Sequence, residues 1–360
     1  MANSSYTFQM LDALTRQLAN NESLTDAQVS GAVEELADAA VTSEIKADFL
    51  TALARKGETV GEIAAFAREM RARAIQPPID SQTRALQILD VCGAGGDRLN
   101  TFNISTTVAI IAAADGVPVA KHGNRAVTSQ AGSADVLRAL GVKIDLPPEE
   151  AARSLRDFHF AFFFAPDYHP AFRQIVPARR LCGERGQKTI FNYLGPLLNP
   201  ARPALQLIGV PHPHLCLPIA TVLQSLEVRR GMVVSGSVPP DGNSLRHLDE
   251  LSTLGENTVV EFHHPCALAQ SSLLPENFPI QPATLSDLAG GDSQTNAEIV
   301  RRVLTGEDRG PKRDAVLFNA AAALFVAEKS RSLAEGWERA GQVIDSGKAL
   351  VKLNELIASH

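Results

Sequence analysis

Between Asp90 and Asp97 the chain reads Asp90-Val91-Cys92-Gly93-Ala94-Gly95-Gly96-Asp97, with three glycines in four positions. Glycine lets the main chain approach an anion closely and turn its N–H groups toward it. A helix is expected soon after, at Asn103-Ile104-Ser105-Thr106, and its first turn adds unpaired N–H groups and a partial positive charge. The hydroxyls of Ser105 and Thr106 could donate to a phosphate or help to ligate magnesium. The spacing is neither a dinucleotide fingerprint nor a Walker loop, which needs Lys-Ser or Lys-Thr straight after its last glycine. Taken alone, the segment reads equally well as a tight strand-to-helix turn.

Three further segments carry chemistry. Lys121-His122-Gly123-Asn124-Arg125, followed by Thr128, Ser129 and Ser133, gathers two cations, an imidazole and an amide around one glycine. It follows a strand-like run, and ligands of α/β sheets collect at the carboxyl ends of strands. Leu248-Asp249-Glu250-Leu251 sets two adjacent carboxylates among apolar residues, which is costly unless a cation lies between them. Hard oxygen ligands suit magnesium, above all one that already carries phosphate oxygens. Arg173, Arg179, Arg180 and Arg185 fall close together, and a guanidinium suits bidentate recognition of a carboxylate. The bland alternatives are a solvated basic turn, a solvated acidic turn and a helix with a basic face; the weight of each segment comes from the company of the others.

The elements that must position these residues change character along the chain. From about Thr7 to Ala74 only helices are expected. Thr25-x-x-Gln28 and Thr59-x-x-Glu62 fit the capping box, and Ile45, Phe49, Ala52 and Leu53 recur at helical spacing. Gly57 closes one helix. Ile75-Gln76-Pro77-Pro78 reads as a linker. Strand-like runs then alternate with helices: Leu86–Val91, Val117–Ala120, Phe160–Phe164, Leu205–Val210 and Met232–Ser235 are the strand candidates. Alternation of this kind predicts an α/β sheet with parallel pairs. Long helices return at Asn296–Leu304, Asp314–Ala327, Leu333–Ile344 and Gly347–Ile357. Leu273–Asp292, rich in proline and polar residues, is expected to be a surface excursion. His263-His264-Pro265-Cys266 lacks spaced metal-ligand partners and reads as a surface turn.

The totals exclude several classes. The formal net charge of the 360 residues is -6, so general nucleic-acid binding is not expected, and a polyanion must be held by a local pocket. Cys92, Cys182, Cys216 and Cys266 form no C-x-x-C pair, which points to reduced thiols. Apolar runs such as Val108–Ala114 are too short to span a bilayer, and Met1–Tyr6 lacks the pattern of a signal peptide; no membrane partner and a cytoplasmic location are the expectations.

In order, these segments resemble the anthranilate phosphoribosyltransferase family over nearly the whole chain. The resemblance also takes in Phe49–Thr59, Thr189-Ile190-Phe191-Asn192, Gly195-Pro196-Leu197-Leu198-Asn199-Pro200, Asn319-Ala320-Ala321 and Asp345–Ala349. It implies an α/β protein of the nucleoside phosphorylase and phosphoribosyltransferase type. A small all-helical domain, 1–76, would be joined in space by helices near 170–190. A large α/β domain, 77–360, would be built on a mostly parallel sheet, and two copies would pair through the helical part. The implied reaction moves the phosphoribosyl group of phosphoribosyl pyrophosphate to the amine of anthranilate, releasing pyrophosphate, in tryptophan biosynthesis. Gly93, Gly96, Asp97, Thr101, Asn103, Ser105, Thr106, Lys121 and Ser133 would hold phosphoribosyl pyrophosphate. Gly93, His122, Asn124 and Arg179 would face anthranilate, with Arg179 on its carboxylate. Lys121, Asn124 and Arg179 would be catalytic. Two magnesium ions would accompany the pyrophosphate, one touched by Ser105 and the other bound by Asp249 and Glu250. The chain departs from the family at Ala94, where threonine is usual, at Arg98 and Leu99, at Lys188, where arginine is common, and in a longer Cys182–Lys188 stretch. A nucleoside phosphorylase of similar fold and a non-catalytic nucleic-acid-binding relative are the rival readings; the first would not need the acid pair, and the net charge speaks against the second.

Overall fold

The computed structural model describes residues 9–126, 130–241 and 244–359. The chain divides into two compact units, Met1–Ile75 with Pro166–Leu198, and Gln76–Ala165 with Asn199–His360.

The first unit is helical. It opens with α1 (Gln9–Ala19), α2 (Asp26–Ala37), α3 (Ser43–Lys56) and α4 (Val60–Ala72). Both expected capping boxes form, at Thr25 and Thr59, and Gly57 ends α3 at a positive φ of 85°, a conformation that costs glycine little. Glu62, within the second box, is 1% exposed. Its carboxylate meets the Lys56 ammonium at 2.8 Å and accepts from the Leu24 N–H at 2.9 Å and the Thr59 N–H at 2.8 Å. A buried charge is tolerable when it is satisfied in this way. Phe49 and Phe66 pack in the core between α3 and α4. The later segment adds the helix Val176–Glu184, which lies on α3. Lys46 donates to the carbonyls of Asp38 and Gln174, and Cys182 lies 3.7 Å from the Thr51 hydroxyl.

The second unit is built on a sheet that has eight strands among the described residues: β1 (Leu89–Gly93), β2 (Val119–Gly123), β3 (Phe160–Phe164), β4 (Leu205–Gly209), β5 (Arg230–Asp241), β6 (Ser244–Leu248), β7 (Asn257–His263) and β8 (Ala269–Leu273). Their order is β3-β2-β1-β4-β5-β7-β8, with β6 on β5. The first five are parallel, as the alternation of strands and helices predicts. The last three form an antiparallel extension of β5 that the sequence reading does not anticipate. Β8 is largely exposed along its length, so it carries little of the apolar signal by which strands are recognised.

Helices Ile104–Ala114 and Pro311–Val326 are apolar on nearly all sides and lie in the main core. The expected surface excursion 273–292 is only partly one. Phe278 packs on Phe318 and Trp337, with ring centroids 4.8 and 5.8 Å away, and Leu288 is fully buried. Two apolar anchors are enough to fasten a polar segment to the core.

In the helical unit His169 is 3% exposed and packs edge-on against Phe172. Burial pushes its imidazole down to about 4, against the opposing effect of a backbone hydrogen bond at Leu198. A histidine whose value is lower in the folded than in the unfolded chain contributes stability above about pH 6.5, and that stability is lost as pH falls through the folded value. The loss from this group between pH 6.5 and 5 is expected to be roughly 2 kcal/mol. Denaturant unfolding across that range measures it, and His169→Gln is expected to remove this part of the slope while leaving the part due to carboxylates.

Candidate active site

Three neighbouring parallel strands end in glycine: Gly93 on β1, Gly123 on β2 and Gly209 on β4. The strand order leaves β1 with β2 on one side and β4 on the other, so the direction of winding reverses between β1 and β4, where ligands of open α/β sheets bind. Gly93 and Gly209 pair in register across that gap. Asp249 lies against both. A β-carbon on Gly93 would sit 2.2 Å from Asp249 Oδ2, and one on Gly209 would sit 1.6 Å from the Asp249 carbonyl oxygen. Neither position has room for a side chain. The sequence reading passes over Gly209, since a lone glycine at a strand end has no partner visible in sequence.

The glycine loop turns through positive φ at Gly95 and Gly96 and, less usually, at Arg98 and Asn100. The Ala94 N–H donates to the Gly209 carbonyl at 2.8 Å. Farther along, Thr101 bridges to Ala289, and the Gly290 N–H donates to the Asn100 carbonyl; the 285–290 segment therefore pins the loop from outside. Asp97 Oδ1 accepts from the Leu99 N–H at 3.2 Å. Asn103 caps the following helix by position, while its side chain accepts from Asn296 and faces the Ala131 carbonyl. Ser105 lies half-buried in the first turn. Thr106 is fully buried, and its hydroxyl has no hydrogen-bond partner among the described residues.

Lys121, third in β2, is 1% exposed. Its ammonium donates to the Val91 carbonyl at 2.8 Å and lies 3.3 Å from Ser105 Oγ. Burial lowers its value, while Cys92, Asp90 and Glu250 act to raise it. On the neighbouring strand β1 Asp90 is fully buried, and its carboxylate accepts from Asn199 at 2.9 Å. Burial raises Asp90 to about 6, with Asn199 and Lys121 opposing. Asn199 also donates to the Ala120 carbonyl, tying β1 and β2 together under the site. His122 is buried, and Asn124 and Arg125 are exposed beyond it. Ser133 opens the helix Ser133–Ala139, with its hydroxyl against Gly123. Thr128 and Ser129 lie outside the described residues.

Asp249 Oδ2 accepts from the Gly95 N–H at 2.6 Å, and Glu250 Oε1 accepts from the Ser105 N–H at 3.3 Å. Burial, and then Asp97 and Glu250, push Asp249 well above the usual carboxylate range. Burial raises Glu250 to about 7, with Lys121 and the Ser105 N–H opposing. These are carboxylates in want of positive charge. Among the described residues no three His, Cys, Asp or Glu side chains form a metal cage. The two carboxylates are hard oxygen donors and fit a cation that brings most of its own oxygens, as magnesium does on a phosphate.

Of the four clustered arginines, Arg180 pairs with Glu184 and Arg185 with Asp48, and Arg173 is exposed. Arg179 alone of the four is half-buried, with its guanidinium 5.5 Å from the Phe191 ring centroid.

Main-chain N–H groups, an ammonium and two acids gathered at the switch point of a parallel sheet, where a phosphorylated ligand can be held, make the site of a group-transfer enzyme. The family models agree. One described as glycosyl transferase family, helical bundle domain, matches residues 12–74, and one described as glycosyl transferase family, a/b domain, matches 85–350. Anthranilate phosphoribosyltransferase of Chloroflexus aggregans is 45% identical over 335 residues, 93% of this chain and 94% of its own length. The crystal structure of the Thermus thermophilus enzyme of the same name superposes with a TM-score of 0.85 at 39% identity, over 96% of this chain and 98% of that one. The Saccharomyces cerevisiae enzyme in complex with PRPP and Mg gives 0.84 at 26% identity, over 98% and 99%. The chain belongs to the anthranilate phosphoribosyltransferase family.

Gly209 is the position whose side-chain hydrogen matters most for this geometry. Gly209→Ala is expected to force the Asp249 main chain outward and to destabilise the α/β unit by about 1–3 kcal/mol. Denaturant unfolding of the variant against the parent chain measures the cost.

Proposed function

We infer that the chain transfers the phosphoribosyl group of phosphoribosyl pyrophosphate to the amine of anthranilate, releasing pyrophosphate, as a step of tryptophan biosynthesis. One observation carries this reading: Gly93, Gly209, Lys121, the first turn at Ser105 and the Asp249-Glu250 pair meet at a single switch point. A nucleoside phosphorylase would have no use for the acid pair. The Saccharomyces cerevisiae relative in complex with 4-fluoroanthranilate, matched over 98% of this chain, supports the aromatic substrate.

The reaction is a displacement at the anomeric carbon. The amine attacks as the bond to pyrophosphate breaks, and positive charge grows on the sugar while negative charge grows on the leaving group. No protein nucleophile is required. The N–H groups of Gly95, Gly96 and the Ser105 turn, with the Lys121 ammonium, face the oxygens on which that negative charge develops, and fixed donors of this kind lower the barrier without reorganising. Asn199, bonded to Asp90 and to the Ala120 carbonyl, braces the two strands on which Lys121 rests. Asp97, Thr101, Asn103 and Ser133 contribute to seating phosphoribosyl pyrophosphate. Thr106 does so through its main chain. Gly93, His122 and Asn124 serve anthranilate in the α/β unit; in the helical unit Arg179 is the guanidinium suited to a carboxylate. Asp249, Glu250 and Ser105 would hold magnesium, two ions in all, which when bound neutralises charge on the pyrophosphate. Holding amine and carbon in line supplies much of the remaining acceleration.

Two copies of the chain are proposed to pair through the helical unit, and the free cysteines support action in the reducing cytoplasm. Sedimentation is expected to give twice the mass of the chain; a single-chain mass at micromolar concentration would remove the pairing.

Anthranilate is fluorescent, so its consumption follows the reaction directly. The purified chain is expected to quench that fluorescence only when phosphoribosyl pyrophosphate and magnesium are both present. Replacing Asp249 and Glu250 together by Ala is expected to lower turnover by about a hundredfold or more and to shift the magnesium dependence. A wild-type chain that never consumes anthranilate would overturn the assignment; unchanged turnover in the double variant would remove the metal role of the pair.

A further inference from the structure

The Gly95 and Ser105 N–H groups, two of the donors on which the reading above seats pyrophosphate, are taken by the chain's own acids. Asp249 Oδ2 holds the first at 2.6 Å and Glu250 Oε1 holds the second at 3.3 Å. Carboxylate oxygens on such donors occupy the same kind of place as phosphate oxygens. The arrangement is built into the backbone. Gly93 and Gly209 leave the Asp249 carboxylate and main chain a seat that no other residue type at those positions would leave. On the far side, Asn319 accepts from the Leu251 N–H and donates to the Leu251 carbonyl, each at 2.9 Å, so the turn that carries the acids is anchored to the helix Pro311–Val326.

We propose that Asp249 and Glu250 are specificity determinants that hold these donors against bare phosphate anions and yield them only to a diphosphate that arrives with a divalent cation. The inference rests on the reading of the site given above and deepens it. A bare anion that took the Gly95 N–H would have to displace a carboxylate and then lie beside it, charge against like charge in a partly buried place. An anion that brings a cation gives the displaced carboxylates a new partner, and the exchange becomes favourable. Free orthophosphate, the substrate of a phosphorylase, is excluded by the same device, so an acid pair otherwise understood as metal ligands also sets which anions enter.

The experiment is calorimetric titration of the full chain with inorganic pyrophosphate and with orthophosphate, each in the presence of a chelator and in the presence of magnesium. The wild-type chain is expected to bind pyrophosphate at least about tenfold more weakly without magnesium. Asp249→Asn keeps the shape and removes the charge; it is expected to bind metal-free pyrophosphate at least about tenfold more tightly than wild type and to gain affinity for orthophosphate. Glu250→Gln is expected to gain less, because its contact is longer. Asp145→Asn is the control, since Asp145 is exposed and is none of the residues assigned to the site; charge removal alone is expected to give it no more than about threefold. Thermal unfolding followed by circular dichroism checks that each variant is folded. Equal gains for Asp145→Asn and Asp249→Asn, or no gain for Asp249→Asn and Glu250→Gln, overturn the proposal. A wild-type chain that binds no pyrophosphate even with magnesium overturns the reading of the site itself.

Discussion

The site depends on a close approach of main chain to main chain. The backbone at Asp249 passes the ends of β1 and β4 so tightly that a β-carbon on Gly209 would lie 1.6 Å from its carbonyl oxygen. Such contact is open only to glycine. It lodges a carboxylate at the crevice where the strand order reverses, within reach of the glycine loop and of the helix that begins at Ile104. Asn319 then fixes Leu251 through its main-chain N–H and carbonyl. The acid pair is thus held from both sides, and its position owes nothing to the conformational preferences of a flexible loop.

A second constraint is the burial of charge. Lys121 and Asp90 are both removed from water, and a buried charge is costly unless it is satisfied. Their hydrogen bonds make the arrangement tolerable: Val91 for the ammonium, Asn199 for the carboxylate. The charge distribution is the return on that cost. A buried ammonium, two acids and main-chain N–H groups gathered at the strand ends suit one class of ligand, a polyphosphate accompanied by metal. The overall charge of -6 would repel such a ligand; the local arrangement attracts it.

Much of this was legible in the residues. The two capping boxes, the stop at Gly57 and the alternation that makes a parallel sheet are local signals, set by hydrogen bonds within four residues or by the period of apolar side chains. The glycine loop and the Lys121 segment were marked by composition. Other features left no local trace. Β8 is exposed and lacks an apolar period. Phe278 sits in a polar stretch yet joins the core through Phe318 and Trp337. Thr106, one residue beyond Ser105, is fully buried where Ser105 is half-buried, because a step of about 100° along a helix moves a side chain from one face to another.

Sequence alone therefore determined the chemical inventory of this protein: which side chains can carry charge, where the main chain can turn against an anion, and which strongly periodic apolar runs become helix or strand. These follow from residue type and short-range spacing. Only the tertiary structure decided which of them meet. Gly209 became a site residue because β4 lies beside β1, 116 positions earlier in the register of Gly93. Arg179 was set apart from its three neighbours by its place over Phe191. Asp249 found the Gly95 N–H 154 residues away. Such contacts arise from burial and packing across the fold, and no local pattern encodes them.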